Sequence, residues 1–167
     1  MSELQSICRT EPFNGPIEIG LRTLVILTEA FPAAYSLQRL VISDYLVVHS
    51  DDADGPQGLH PQTPRRSGEL LVRRESLQRG LLLYQSRGLI ERRYEPDGIM
   101  FAATEASAAF VDVLESQYVS ELRSRAEWLV SRFKAMTDKE LDDFVEKRLG
   151  IWGAEFEFES VLWEDVP

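Results

Sequence analysis

Three observations in the amino-acid sequence predict an α+β fold that is mainly α: a winged helix-turn-helix domain with a long C-terminal helix and an extended acidic tail. The first is an amphipathic segment whose Leu70, Leu71, Leu77, Leu81 and Tyr84 return to one helical face. The second is its stop, Ser86-Arg87-Gly88, with Gly88 suited to the left-handed conformation that follows a last helical turn. The third is a pair of short strands, Leu89 to Glu95 and Ile99 to Ala103, joined by the turn-forming Pro96-Asp97-Gly98. A module of this kind is expected to bind nucleic acid or protein rather than to perform chemistry.

The remaining elements order themselves around that unit. Residues 1–13 read as a mobile N-terminus. Asn14-Gly15-Pro16 leads into a helix from Ile17 to Phe31, with Ile17, Leu21, Leu24, Val25, Leu27 and Thr28 on one side, and Pro32 ends it. Ser36 is placed to cap a second helix, Leu37 to about Val48, which is apolar on more than one face and so is expected to be deeply buried. Residues 49–68 lack periodicity and are rich in Asp, Gly, Pro and Gln, which reads as a long loop inside the 14–103 domain.

Residues 104–150 read as C-terminal helices. One long helix is expected from Thr104 to about Met136, striped by Ala106, Ala109, Phe110, Val113, Leu114, Tyr118, Leu122, Ala126, Leu129, Val130 and Phe133. Its stripe exceeds what a small core covers, so it is expected to meet a partner or a second copy of the chain, with Phe110 and Tyr118 as candidate contacts. Thr137-Asp138-Lys139-Glu140 has the form of a capping box before a short helix stopped at Gly150. Residues 151–167 alternate apolar and acidic side chains. They read as a strand face or docking peptide, with Trp152, Phe156, Phe158 and Trp163 as candidate partner-binding anchors.

Charge is uneven along the chain. The net charge is −10, yet between Arg65 and Arg93 eight arginines stand against three glutamates, a local +5. Arg65, Arg66, Arg73, Arg74, Arg92 and Arg93 are therefore candidate contacts to duplex DNA, although a purely electrostatic DNA binder is expected to be basic overall. The same face could instead meet an acidic protein. Some of Arg73, Arg74 and Arg79 are expected to pair with Glu69 and Glu75 along their own helix.

Catalytic chemistry finds little support. His49, Asp51, Asp52, Asp54 and His60 fall close together, but their spacing fits no zinc or calcium pattern and prolines interrupt it, so they read as a solvated loop with His60 as its anchor. Cys8 is the only cysteine, which excludes an intramolecular disulfide and a CxxC metal site. No catalytic residues, cofactor or metal are expected. No segment has the length of a membrane span and the N-terminus lacks the signal-peptide pattern, so the expected location is cytoplasmic.

Five stretches resemble the middle component of bacterial ABC-three-component systems: Asn14 to Arg22, Leu37 to Val41, Asp44 to Ser50, Leu59-His60-Pro61 with Arg66 to Arg74, and Ser86 to Leu89. The resemblance covers roughly residues 14–133 and finds no counterpart for the tail. It implies a small accessory subunit of a Lamassu-like defence system. Its implied partners are an SMC- or Rad50-like ABC ATPase and an effector such as a nuclease. From the residues alone two other classes stay open: a dimeric winged-helix transcriptional regulator, and a hydrolase using the loop between His49 and His60.

Overall fold

The computed structural model describes residues 14–61 and 66–149. The N-terminal segment 1–13, Arg65, and the tail with Trp152, Phe156, Phe158 and Trp163 lie outside them. Arg66 opens a helix but its side chain is likewise not described.

The chain runs α1 (Pro16–Ala30), β1 (Tyr35–Ser36), α2 (Leu37–Val48), a 3-10 turn (Ser50–Ala53), α3 (Arg66–Ser86), β2 (Ile90–Glu95), β3 (Gly98–Ala103), α4 (Ser107–Asp112), α5 (Gln117–Phe133) and α6 (Asp138–Leu149). The described residues are α+β and mainly helical, with one small antiparallel sheet in the order β1-β3-β2.

Local sequence explains most of these boundaries. Pro16 sits in the first turn of α1, where a missing N–H removes no helical bond. Ser36 caps α2 by accepting from the Arg39 N–H at 3.1 Å. α2 is enclosed on every side: Leu40, Val41, Ile42, Tyr45, Leu46, Val47 and Val48 are all buried, as its all-round apolarity requires. The hairpin closes through the two residues Pro96 and Asp97, with Glu95 opposite Gly98. Gly88 and Gly98 take φ values of +72° and +123°, which side chains with a Cβ rarely adopt. The capping box is formed in both directions, Thr137 N–H to Glu140 Oε2 at 3.0 Å and Glu140 N–H to Thr137 Oγ1 at 3.2 Å.

The structure corrects the expectation of one helix from Thr104 to Met136. Residues 113–116 interrupt it, because the Ser116 hydroxyl accepts from the Val119 N–H at 3.2 Å and starts α5 afresh. The α5 part of the stripe is not surplus either. Val119, Leu122, Ala126, Leu129 and Phe133 are buried in the chain's own core, where α5 packs against α1 and α2. On α4 only Ser107 and Val111 are buried, while Val113 is left exposed and Phe110 partly so.

α1 and α3 make the most extensive helix contact among the described residues. Gly20 and Gly80 face each other across it, and the Tyr84 hydroxyl donates to the Ile17 carbonyl at 3.1 Å. Two glycines at the crossing let the backbones approach more closely than the roughly 8–10 Å axis separation of ordinary helix packing. Further back along α3, Arg73 reaches Asp44 of α2.

Candidate functional site

The deepest polar feature among the described residues is a charged cluster where α1, α2 and α3 meet. Asp44 comes from α2, Arg22 from α1 and Arg73 from α3, and both Arg22 and Asp44 are fully buried. Arg22 grips the carboxylate through Nε to Oδ1 at 2.7 Å and Nη2 to Oδ2 at 2.9 Å. Arg73 Nη1 donates to the second oxygen, Oδ2, at 2.5 Å. Arg22 Nη2 also reaches the Asn14 side-chain oxygen at 3.3 Å, tying down the residue that precedes α1.

Burial alone would push the Asp44 carboxyl up, but the two guanidiniums outweigh it and hold the group below its ordinary range. Burial likewise works against a charged Arg22, and Asp44 more than offsets that effect. The carboxylate is thereby fixed as an anion whose two oxygens are both taken by arginine, which leaves it poorly suited to act as a base toward a substrate.

The loop between His49 and Pro61 closes over this cluster. Leu59 and His60 both donate their N–H to the Val48 carbonyl, at 2.8 and 3.2 Å, so the loop returns to the helix end it left. Ser50 Oγ donates to the Pro56 carbonyl at 2.7 Å, the Tyr45 hydroxyl to Asp52 at 2.5 Å, and Arg125 Nε to the Gln57 carbonyl at 2.9 Å. Gly55 lies flat against Trp128 of α5. His60 Nε2 and the Tyr118 hydroxyl are 3.0 Å apart and share one hydrogen bond. His49 is buried, its ring 4.6 Å from that of Tyr45 and edge-on to His60 at 6.4 Å.

The solvated-loop reading is therefore corrected for its first part, since His49, Ser50 and Ala53 are core residues, whereas His60 does anchor the loop. Among the described residues no group of His, Cys, Asp or Glu is arranged to hold a metal ion. No helix of the described residues is long and apolar enough to cross a membrane.

The candidate DNA contacts separate. Arg73 is 2 % exposed and committed to Asp44, with its guanidinium also 5.7 Å from the Tyr45 ring. Arg93 donates to Glu91 and to the Pro32 carbonyl. Arg92 is exposed and lies over the Phe101 ring at 5.8 Å. Arg74 is half-buried. Of the candidate partner contacts, Phe110 is at the surface, whereas Tyr118 is half-buried and turned inward to His60. Arg22 and Asp44 were not among the candidates. A signal for them existed: each charge interrupts an apolar helical face, and Arg73 precedes Leu77, Leu81 and Tyr84 on the buried side of α3 at helical spacing.

His60 carries a measurable consequence. Burial, then the charges of Arg22, His49 and Arg73, lower its pKa from 6.5 to about 4, while Asp44 acts the other way. A folded-state value below the unfolded one means that protonation favours the unfolded chain. This contribution to stability is complete above about pH 6.5 and falls as the pH drops toward 4. Glu29 and Asp142, whose carboxyls burial raises, contribute with the opposite sign. We expect urea midpoints at pH 7 and pH 4.5 to differ less in His60→Gln than in the unaltered chain. An equal difference would place the acid sensitivity elsewhere.

The cluster draws on the same short stretches that carry the family resemblance: Asn14 and Arg22, Asp44 and Tyr45, His49, His60 and Arg73. A family model described as the ABC-three component (ABC-3C) system Middle Component 2 matches residues 12–155. No curated protein and no solved structure matches the chain.

Proposed function

The chain belongs to the middle component 2 family of ABC-three-component systems, and on that basis we propose that it is a non-catalytic accessory subunit. In this reading it works in the cytoplasm, bridging an SMC- or Rad50-like ABC ATPase and an effector such as a nuclease in antiphage or plasmid defence. The observation that carries the reading is the use made of the polar residues. Arg22, Asp44, Arg73, His60 and Tyr118 are spent on joining α1, α2, α3, α5 and the loop, which is what a rigid docking body needs and a reaction centre does not.

We read the fold as a winged helix. The order α1-β1-α2-α3-β2-β3 and the sheet order β1-β3-β2 support it, with β2 and β3 as the wing and α3 as the helix that would face a groove. Protein contact is favoured over DNA on this surface. The hairpin carries Glu91, Glu95 and Asp97 beside Arg92 and Arg93, so it is acidic by one charge, and phosphate binding draws on an excess of cations. DNA contact by Arg65, Arg66 or Arg74 would be weak, insensitive to sequence and steeply reduced by salt. No observation favours the alternative of a transcriptional regulator.

The tail is the proposed docking peptide, since Trp152, Phe156, Phe158 and Trp163 concentrate aromatic anchors in an acidic segment. Truncation after Gly150 is expected to leave the circular dichroism spectrum and urea midpoint of the domain unchanged while abolishing co-purification with the partner proteins. Retention of every partner by the truncated chain would remove the tail from the interface, and loss of folding would make it part of the core.

A further inference from the structure

We propose that a second copy of this chain pairs antiparallel with the outer edge of β2, joining two three-stranded sheets into one of six strands. β2 is the end strand of the order β1-β3-β2, and among the described residues no strand lies on its far side. It is paired with β3 without a bulge from Ile90 to Glu95, so its outer backbone groups form a regular row, and its charged side chains, Glu91, Arg92, Arg93 and Glu95, restrict which strand can join it.

The direction of its free backbone groups follows from the turn. Glu95 and Gly98 close a two-residue loop and so form a hydrogen-bonded pair. The Thr104 N–H to Leu89 carbonyl bond at 3.1 Å puts the other end of the ladder in the same phase. Glu91 and Arg93 therefore bond inward to β3, and the N–H and C=O groups of Ile90, Arg92 and Tyr94 point outward.

The strand is self-complementary about one of its central residues and not about the neighbours. A two-fold axis through Arg92 sets Glu91 opposite the partner's Arg93, twice, and Ile90 opposite the partner's Tyr94, twice. The Glu91–Arg93 pair already formed within each strand would then extend into one network of four alternating charges. Moving the axis to Arg93 sets Glu91 against the partner's Glu95, and moving it to Glu91 sets that carboxylate against itself. Opposite charges on one face and apolar side chains on the other thus select the Arg92 register. The two axial Arg92 side chains are like-charged, but each guanidinium lies back over its own Phe101 ring, away from the edge.

The occupant also gives a neighbour to an exposed aromatic side chain of the edge strand, Tyr94. Tyr94 and Ile99 face each other across the hairpin, on the side that further in buries Ile90, Phe101 and Ala103, yet they are 77 % and 45 % exposed. Partner pairing would bring Tyr94 against the base of the second hairpin. A strand of six residues is a small interface, so the dimer is expected to be weak and reversible.

Sedimentation equilibrium and amide hydrogen exchange on the full chain test this. The expected result is a reversible dimer in which the Arg92 and Tyr94 amides exchange more slowly as concentration rises. Glu91→Arg and Arg93→Glu should each weaken it about ten-fold, since two attractive cross-strand pairs become repulsive, and the double variant should restore it. A chain that stays monomeric to roughly 100 µM, a dimer without concentration-dependent protection of those two amides, or one indifferent to both single reversals would overturn the proposal. The exchange measurement needs no variant, so a misfolded substitution does not leave the question open.

Discussion

Asp44→Ala is expected to lower the stability of the chain by about 3–5 kcal/mol, the usual consequence of removing one partner from a buried ion pair. The carboxylate sits between two buried arginines, and both of its oxygens are bonded. Without it, Arg22 and Arg73 are left as two cations in a low-dielectric interior, and neither can neutralise itself by losing a proton near neutral pH. Repulsion between them would fall directly on the α1–α3 contact. Arg73→Met should be milder, since Arg22 keeps its two bonds to Asp44. Replacing all three, Arg22→Met, Asp44→Leu and Arg73→Met, should recover much of the loss, because apolar side chains of similar volume need no compensation. Urea denaturation followed by circular dichroism checks the order. If Asp44→Ala proves no worse than Arg73→Met, the carboxylate does not hold the cluster.

The second large effect is expected at the helix crossing. A Cβ on Gly80 would stand 2.7 Å from the Pro16 carbonyl oxygen and 2.9 Å from both Cα and N of Gly20. Each of those atoms is backbone, so no rotamer change relieves the overlap and α1 must move away from α3. Overpacking of this kind costs about 1–3 kcal/mol. It acts against the gain of up to about 1 kcal/mol that glycine to alanine brings inside a helix. Gly80→Ala should therefore be destabilising on balance, and Gly80→Val more so. Gly20→Ala meets the Tyr84 ring at 2.5 Å and should displace a side chain before it displaces a helix. A rise in the urea midpoint of Gly80→Ala would mean that the two helices do not cross at these glycines.

Local features are legible in the residues because they are set by neighbours in sequence. The Ser36 cap, the Thr137 capping box, the Gly88 stop, the Pro96-Asp97 turn and the buried second helix each depend on contacts within a few positions. What is not legible depends on distance along the chain. β1 has two residues, too few to show alternation, and exists because Tyr35 and Ser36 meet Phe101 and Met100. The break before α5 hides because Leu114 and Tyr118 continue a helical stripe across it, and a single serine decides the outcome. The family resemblance singles out the right stretches, but not that Arg22, Asp44 and Arg73 converge, since 22 and 29 positions separate Asp44 from its two partners. Arg73 accordingly reads as a surface cation in sequence and as a buried strut in the fold.

A family member that works by holding partners must form a stable complex with them, and co-expression with the ABC ATPase of its system shows whether it does. Size-exclusion chromatography with light scattering should give a single species containing both chains at a fixed ratio. The double substitution of His49 and His60 with glutamine should leave that species unchanged, provided the variant folds. Separate elution of the two proteins across the micromolar range would contradict a bridging role.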